Sequence, residues 1–487
     1  MTVVNQTKNE TKSSSTTTFK ALMALLKCYI GTGILSMPLS FSFSGYLNGL
    51  VGTCLIGLLC NYCNHMLVQI NNVLLSSETQ NINDDGDGDE NGSIEDRLPY
   101  DYCELASMAF ERGPRKLRRF SQQSQSFLSV CLCITQLGFC CSYALFIARN
   151  LLQFAINLKL IDWTQDDIVY VIMALLPIMI VLNFIKNIHH LAMLSTFANL
   201  IQTTSLLIII YNLVTGSPVE GERKIFNSKI PQFVSTTFFT FEGITVTMPL
   251  YRSMRKRENF AKPFGVLNIS IVIVILAYVT IGFLGYRKYG SEVMPSVTLS
   301  LPNEPIYAIV QLMYALAIGF SYLLQMYVAI NIAVPAVRQR LINLKKSDFV
   351  LDLSDYIGRA FLVTITFVLA ASIPELDLVM ELVGALVCSL VAIIIPTILH
   401  LVTFNDRLRG LSKAWLYFRN ITIILIGLMA FLIGTYFSVM GIVERLSQQS
   451  AHHSHHNQLY SNSEHLVAKI TEPNLLNVTL SSTLANL

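Results

Sequence analysis

Long apolar segments recur along the whole sequence and constrain its fold more than any other feature. Of the 487 residues, 53% are hydrophobic and only 13% are charged, whereas a soluble domain carries about 25% charged residues. A helix needs roughly 20 mostly apolar residues to cross a bilayer, where the backbone must satisfy its own hydrogen bonds. We therefore predict an all-α polytopic membrane protein whose partner is the lipid bilayer. The net charge of +3 is too small to indicate a nucleic-acid partner.

Eleven segments have the length and apolar content of a transmembrane helix. They cover residues 19–43, 47–70, 123–148, 168–185, 191–214, 232–251, 264–286, 305–333, 357–373, 378–402 and 418–442. The tail 1–18 is predicted to be disordered, and residues 443–487 form a second tail after the last span. The longest connection, 76–120, holds an acidic run and a basic run. Its acidic run fails the glycine and glutamate requirements of a calcium-binding loop, so no metal site is predicted.

The lysines and arginines predict the orientation in the membrane. With a cytosolic N-terminus, 24 of the 34 lie on the inner side and 9 on the outer side, and Lys27 lies within a span. The tail 443–487 is then extracellular or lumenal. None of the ten cysteines lies in a predicted outer loop, so no structural disulfide is expected. Either the plasma membrane or an endolysosomal or vacuolar membrane is compatible with the sequence.

Two spans contain residues that weaken a membrane helix. The first span holds the run Gly31–Gly33 followed by Pro38, and the sixth holds Gly243 followed by Pro249. Each glycine costs about 1 kcal/mol relative to alanine inside a helix, and proline removes a backbone donor. Breaks in the first and sixth of eleven spans indicate two five-helix halves related as inverted repeats. The halves are predicted at 19–214 and 232–402, with 418–442 as an extra helix.

An interrupted helix exposes backbone groups at membrane depth, and this is tolerated only where they line a cavity or are buried in protein. The N-terminal end of a half-helix suits a carboxylate, and its C-terminal end suits an ammonium group or a cation. Because a zwitterionic amino acid satisfies both ends, the pattern predicts an amino acid transporter that works by alternating access. The alternative is that Gly31 and Gly33 merely permit close helix packing.

Glu242 is the most informative single residue, because a carboxylate in mid-membrane costs a few kcal/mol. It is a candidate proton carrier or ammonium ligand, and the alternative is a protonated side chain bonded to a helix end. Lys27 is expected to reach the cytosolic surface or to neutralise a helix end. Glu381 and His400, near the ends of the tenth span, are predicted to be structural. Candidate pocket residues in spans three and eight, which could equally form ordinary interhelical bonds, are Gln136, Ser142, Tyr143, Ser321, Tyr322, Gln325 and Tyr327.

Several separated motifs resemble one known family, the amino acid/auxin permeases. The segments Leu25–Lys27, Gly31–Gly33 and Phe241–Ile244 are similar to the first and sixth helices of its proton-coupled animal and vacuolar fungal members. The stretches Leu284–Tyr286 and Ile373–Leu378 agree as well. The likeness extends over about residues 20–440.

This resemblance implies the five-plus-five inverted-repeat fold of the amino acid–polyamine–organocation superfamily. It also implies that Gly31, Thr32 and Gly33 meet the substrate carboxylate, while carbonyl groups of Phe239, Thr240 and Phe241 meet the amine. Gly243 completes the predicted site. No cofactor is implied.

One position departs from the family pattern. Proton-coupled animal members place a histidine three residues before the lysine, where this chain has Ala24. Either Glu242 carries the proton or the coupling differs, and sodium in place of protons stays open. An amino acid sensor that keeps the transporter fold is the second hypothesis. An enzyme is not expected, because no catalytic constellation lies at membrane depth.

Overall fold

The computed structural model describes residues 16–84, 98–159, 163–185, 188–344, 347–373 and 375–470. Residues 1–15, most of the acidic run and residues 471–487 lie outside the described part, so the predictions for them stay predictions. Within the described residues the chain forms one compact unit up to Ser438 and a second from Val439 onward.

The regular structure of the described residues is helical apart from one isolated bridge between Thr16 and Met254. The helices are α1 (Thr18–Tyr29), α2 (Gly33–Ser44), α3 (Tyr46–Asp84), α4 (Tyr102–Glu111), α5 (Ser121–Asn157), α6 (Ile168–Asn183), α7 (Ile188–Thr215), α8 (Ile230–Thr240), α9 (Ile244–Ser253), α10 (Glu258–Ala261), α11 (Val266–Tyr289), α12 (Pro305–Asn343), α13 (Asp348–Ser372), α14 (Leu376–Val383), α15 (Ile395–Phe404) and α16 (Gly410–Ile470). Two π-helical segments, Gly384–Cys388 and Leu390–Ile394, connect α14 to α15.

The prediction of an all-α polytopic membrane protein is confirmed. Among the described residues, 8 helices are long and apolar enough to cross a membrane, and 9 if the bent pair of α1 and α2 forms one span. Each of the eleven predicted segments coincides with a helix or a helix pair. The short helix α6 and the pair of α8 and α9 do not meet the same criterion, so the count of eleven stays a prediction.

The packing of the helices favours the predicted repeat. Helices that occupy equivalent places in the two halves contact each other: α2 packs against α8, α3 against α11, α5 against α12 and α6 against α13. Pairing of equivalent helices is expected when two halves are related by a pseudo-twofold axis. The boundaries of the halves remain a prediction.

Small residues on α11 allow the broken first span to pack closely against it. A Cβ atom on Gly285 would lie 2.4 Å from the Cγ of Pro38, and one on Gly282 would lie 2.5 Å from the ring of Phe41. Both distances are far inside van der Waals contact, so only glycine fits at these two positions. This contact fixes α2 against the bundle, and Val297 from the connection after α11 also donates its N–H to the Leu35 carbonyl at 2.9 Å.

The long connection 76–120 contains a helix that the sequence did not predict. Helix α4 begins with a reciprocal cap, in which Asp101 accepts from the Glu104 N–H at 2.7 Å and Glu104 accepts from the Asp101 N–H at 3.0 Å. An aspartate followed three residues later by a glutamate is a readable signal for such a start. The Tyr102 hydroxyl anchors α4 to the Val391 carbonyl at 2.8 Å.

The chain before α1 is joined to the chain after α9 by backbone hydrogen bonds. The Thr16 N–H donates to the Ser253 carbonyl at 2.9 Å, and the Arg255 N–H donates to the Thr16 carbonyl at 3.1 Å. We call this pair of bonds the N-terminal latch. It lies at the end of the bundle that carries the basic segment Arg252–Arg257.

Candidate functional site

The first span breaks at residues 30–32, as the glycine pattern predicts. Helices α1 and α2 are bent by 50° relative to each other. The backbone groups freed by the break find partners nearby: the Gly31 N–H donates to the Tyr29 carbonyl at 2.9 Å, and the Gln202 side chain of α7 donates to the Ile30 carbonyl at 2.6 Å. The N-terminus of α2 has no side-chain cap, since Thr32 makes no capping hydrogen bond.

The sixth span breaks at residues 241–243, between α8 and α9. Glu242 is only 5% exposed, and its carboxylate accepts from the Thr245 N–H and from the Thr245 hydroxyl, both at 3.4 Å. The carboxylate therefore lies at the N-terminus of α9, where the helix dipole favours negative charge. A side chain bonded to a helix end is the geometry expected if Glu242 has a structural role. The two half-helices that follow the breaks thus differ. The N-terminus of α9 is capped by the carboxylate of Glu242, whereas the N-terminus of α2 has no such group.

The two breaks lie against each other in the interior. A Cβ atom on Gly33 would lie 2.9 Å from the Cα of Thr240, so the backbones of α2 and α8 approach as closely as glycine permits. On the other side, the Tyr278 hydroxyl of α11 lies 2.6 Å from the Tyr29 carbonyl and 2.7 Å from the Thr240 carbonyl. Tyr29 and Thr240 are the last residues of α1 and α8, so one hydroxyl joins the C-terminal ends of both half-helices.

A second set of polar contacts joins α1 to α9, the two half-helices whose far ends carry the latch. The Asn64 side chain of α3 donates to the Tyr29 hydroxyl at 3.3 Å and accepts from the Thr247 hydroxyl of α9 at 2.9 Å. The Tyr29 ring also covers Gly243, where a Cβ atom would lie 2.6 Å from the ring carbons. Close contact with an aromatic ring explains why a glycine occupies this position.

The structure brings one predicted pocket residue directly to the first break. The Tyr143 hydroxyl of α5 would lie 3.5 Å from a Cβ atom on Gly31, which is ordinary contact. Gly31 thus has room for a small group, whereas Gly33 has none. Phe139, on the same face of α5, stacks against Phe239 of α8 with ring centroids 4.8 Å apart.

Of the other predicted pocket residues, Gln136 and Tyr322 are buried and Gln325 is half-buried. Gln136 is 2% exposed, and its Oε1 has no hydrogen-bond partner among the described residues. The Tyr322 hydroxyl lies 2.8 Å from the Thr366 hydroxyl of α13, which makes it an ordinary interhelical bond, and Gln325 is half-buried. Of this set, only Tyr143 is placed at a break by a measured distance.

Three residues of the site were missed by sequence reasoning: Tyr278, Gln202 and Asn64. Each is a polar side chain in a long, mostly apolar helix and is less than 9% exposed. The available signal was their polarity at membrane depth, which also fits ordinary bonds between helices. Only the three-dimensional arrangement shows that they bond the broken segments or the tyrosine beside them.

Three other buried ionisable side chains lie on helices that do not form the breaks. His400 bonds the Asn420 side chain at 3.0 Å, and Glu381 is 3% exposed on α14. Lys288, two residues beyond the predicted seventh span, is 4% exposed and donates to the Asn212 carbonyl at 3.0 Å and to its side-chain oxygen at 2.6 Å. The Asn212 carbonyl also accepts from the Gly216 N–H at 3.0 Å, so Lys288 adds a positively charged second donor at the negative end of α7.

The site is closed in this conformation. Thr32, Thr240 and Phe241 are each no more than 3% exposed. An open cleft of about 490 Å³ lies elsewhere, between α3, α15 and α16, and its lining includes Gln69, His400 and Arg419. The helices therefore have to move before a solute can reach the breaks. The open cleft is not lined by residues of the broken helices.

The chain was compared with known proteins. A family model described as transmembrane amino acid transporter protein matches residues 14–440. The chain is 31% identical over 438 residues to the proton-coupled amino acid transporter-like protein pathetic of Drosophila melanogaster, covering 89% of this chain and 86% of that protein. It is 25% identical over 445 residues to the probable amino acid transporter skat-1 of Caenorhabditis elegans, covering 88% and 91%. A crystal structure of a manganese transporter mutant from Eremococcus coleocola aligns with a TM-score of 0.44 and 14% identity, over 88% of this chain and 91% of that one.

Proposed function

Because the chain belongs to the transmembrane amino acid transporter protein family, we propose that it is a secondary active transporter of small amino acids that couples their movement to protons. The family predicted from the motifs is confirmed by this match over residues 14–440. The relatives described above are named as amino acid transporters, and one of them as proton-coupled transporter-like.

The observation that carries the proposal is the meeting of two broken helices inside a closed bundle. The N-terminus of α2 has no side-chain cap and so offers backbone N–H groups of its first turn, although the Leu35 N–H already donates to the Thr32 carbonyl at 3.1 Å. We assign the substrate carboxylate to this end, at Gly31, Thr32 and Gly33. The amine is assigned to the carbonyl ends of α8 around Phe239, Thr240 and Phe241, with Gly243 beside them. Gln136, Tyr143, Tyr322 and Gln325 are proposed as the side walls.

Glu242 is proposed as the coupling residue. It is buried, its two contacts with Thr245 are long, and no ion pair links it to a described residue. An uncompensated buried charge is costly, and a bound proton removes that cost. A carboxylate that gains and loses a proton at the N-terminus of α9 changes the charge of the half-helix that has to move. Occupancy of Glu242 by a proton is thereby linked to the position of α9.

The distribution of lysines and arginines supports the proposed orientation, and the choice between membranes stays open. The N-terminus is assigned to the cytosol, and the protein to the plasma membrane or to an endolysosomal or vacuolar membrane. Both assignments rest on the sequence.

Uptake into proteoliposomes with an imposed pH gradient tests the function. Wild type is expected to accumulate radiolabelled small neutral amino acids when the gradient is present. Glu242→Gln is expected to lose the response to the gradient, because it cannot exchange a proton. Thr245→Val is the matched control, since it removes the hydroxyl contact of the cap but keeps the carboxylate.

Three results would separate the alternatives. Loss of the gradient response in Glu242→Gln but not in Thr245→Val supports a proton carrier. Equal loss in both variants shows that Glu242 acts only as a helix cap. Amino acid binding by folded protein without any uptake would refute transport and favour a sensor.

A further inference from the structure

The Tyr278 hydroxyl occupies the junction of the two half-helices that precede the breaks. Tyr278 is fully buried on α11, and its ring packs on Phe241 with centroids 4.8 Å apart. Its oxygen lies within hydrogen-bond distance of two carbonyl oxygens, 2.6 Å from Tyr29 and 2.7 Å from Thr240. These carbonyls terminate α1 and α8, which come from opposite halves of the sequence.

This junction has the electrostatics of a cation site. The last carbonyls of a helix carry the negative end of the helix dipole, and here the Tyr29 carbonyl accepts from the Gly31 N–H at 2.9 Å as well as from Tyr278. Two such ends converge here inside the membrane, where unwound carbonyls and half-helix C-termini are suited to coordinate a coupling ion. A single phenol supplies only one proton to the two acceptors. That proton places positive charge density beside the two carbonyl oxygens, as a bound cation would.

We propose that the Tyr278 hydroxyl stands in the place of an alkali cation, so that the protein binds no sodium at this junction. The inference rests on the proposed transport function, because only a transporter has to couple to protons or to sodium. It assigns that choice to one residue. Tyr278 acts by positioning the two carbonyl ends and is not itself a ligand of the transported solute. When an oxygen-bearing shorter side chain replaces it, the two carbonyls gain the space and the need for a cation.

The variant Tyr278→Asn tests this, because it removes the phenol and leaves an amide oxygen beside the two carbonyls. The measurement is the melting temperature of the purified protein in sodium chloride and in N-methyl-D-glucamine chloride, without amino acid. Sodium at about ten times its Kd would favour the folded state of the variant about 11-fold. The wild type is expected to melt at the same temperature in both salts. Since no transport is measured, this result is independent of whether the proposed function holds.

Tyr314→Asn is the matched control. Tyr314 on α12 is also fully buried, and its hydroxyl has no hydrogen-bond partner among the described residues. The substitution therefore makes the same change in volume without exposing two carbonyl ends. It is expected to lower the melting temperature equally in both salts.

Sodium-dependent stability that is found only in Tyr278→Asn supports the proposal. Sodium dependence in the wild type, in the control as well, or in none of the three proteins overturns it. If Tyr278→Asn does not survive purification, its folded yield in membranes prepared with and without sodium gives the same comparison. Failure to fold in either salt also overturns the proposal, because a cation could then not replace the hydroxyl.

Discussion

The two glycines of the first break are expected to respond differently to the same substitution. A methyl group at Gly33 would lie 2.9 Å from the Cα of Thr240, about 0.5 Å inside the 3.4 Å at which ordinary contact begins. The backbones of α2 and α8 would have to separate, and overpacking of this kind costs about 1–3 kcal/mol. A methyl group at Gly31 would make ordinary contact with the Tyr143 hydroxyl at 3.5 Å. Gly31→Ala should therefore change the stability by less than about 0.5 kcal/mol.

The KM for transport should be altered in Gly31→Ala, the variant whose stability is expected to be normal. Gly31→Ala fills space that faces Tyr143 and should raise the KM for amino acid in a protein of normal stability. The melting temperature can be followed with a thiol-reactive dye, because all ten cysteines are free. Gly319→Ala in α12 is the control, since its added Cβ would lie 3.8 Å from the nearest side-chain atom. A Gly33→Ala variant as stable as wild type, or a Gly31→Ala variant with unchanged KM, would refute the respective half of this reasoning.

Three other outcomes are expected. Gln202→Leu leaves the Ile30 carbonyl without its side-chain donor and should lower the stability by about 1–3 kcal/mol in denaturation assays; an unchanged midpoint would contradict this role. Lys288→Met removes charged hydrogen bonds and should cost about 1.5–3 kcal/mol, whereas Lys262→Met, which loses an exposed pair, should cost less than about 1 kcal/mol. Burial raises the pKa of the Cys103 thiol from 9.0 to about 11, so at pH 8 alkylation should be about 100-fold slower in the folded than in the unfolded protein, rising about tenfold per pH unit. Peptide mapping would refute this if the two rates are equal.

The sequence predicted those features that repeat or that break a strong local rule. Apolar length identified the spans because hydrocarbon leaves few alternatives to a helix. The Gly31–Gly33 run and Gly243 marked both interruptions correctly, since each is followed within the span by a proline and the combination weakens a helix more than an isolated glycine does. The structural roles of these three glycines differ, however. Gly33 and Gly243 are required by close packing against Thr240 and Tyr29, while Gly31 has free space.

The sequence could not show which polar residues meet. Tyr278 lies 249 positions from Tyr29 and 38 from Thr240, and no local pattern links these three residues. The cap formed by Glu242 on Thr245 is local in sequence, but it competes with functional explanations that a spacing rule does not decide. The bond between Lys288 and Asn212 could not be predicted, because it depends on the packing of two helices. Contacts of this kind are decided by tertiary geometry, which a single sequence does not display.

The N-terminal latch makes the residues before the first helix part of the conformational energetics. Its two backbone bonds contribute about 1 kcal/mol each after exchange with water, so together they bias an opening equilibrium by about 30-fold. A bias of this size is too small to hold the fold together but large enough to decide which state predominates. This bias acts on movements that separate α1 from α9, because only such movements break both bonds. Any modification near Thr16 would then adjust the resting population of states without touching the substrate site.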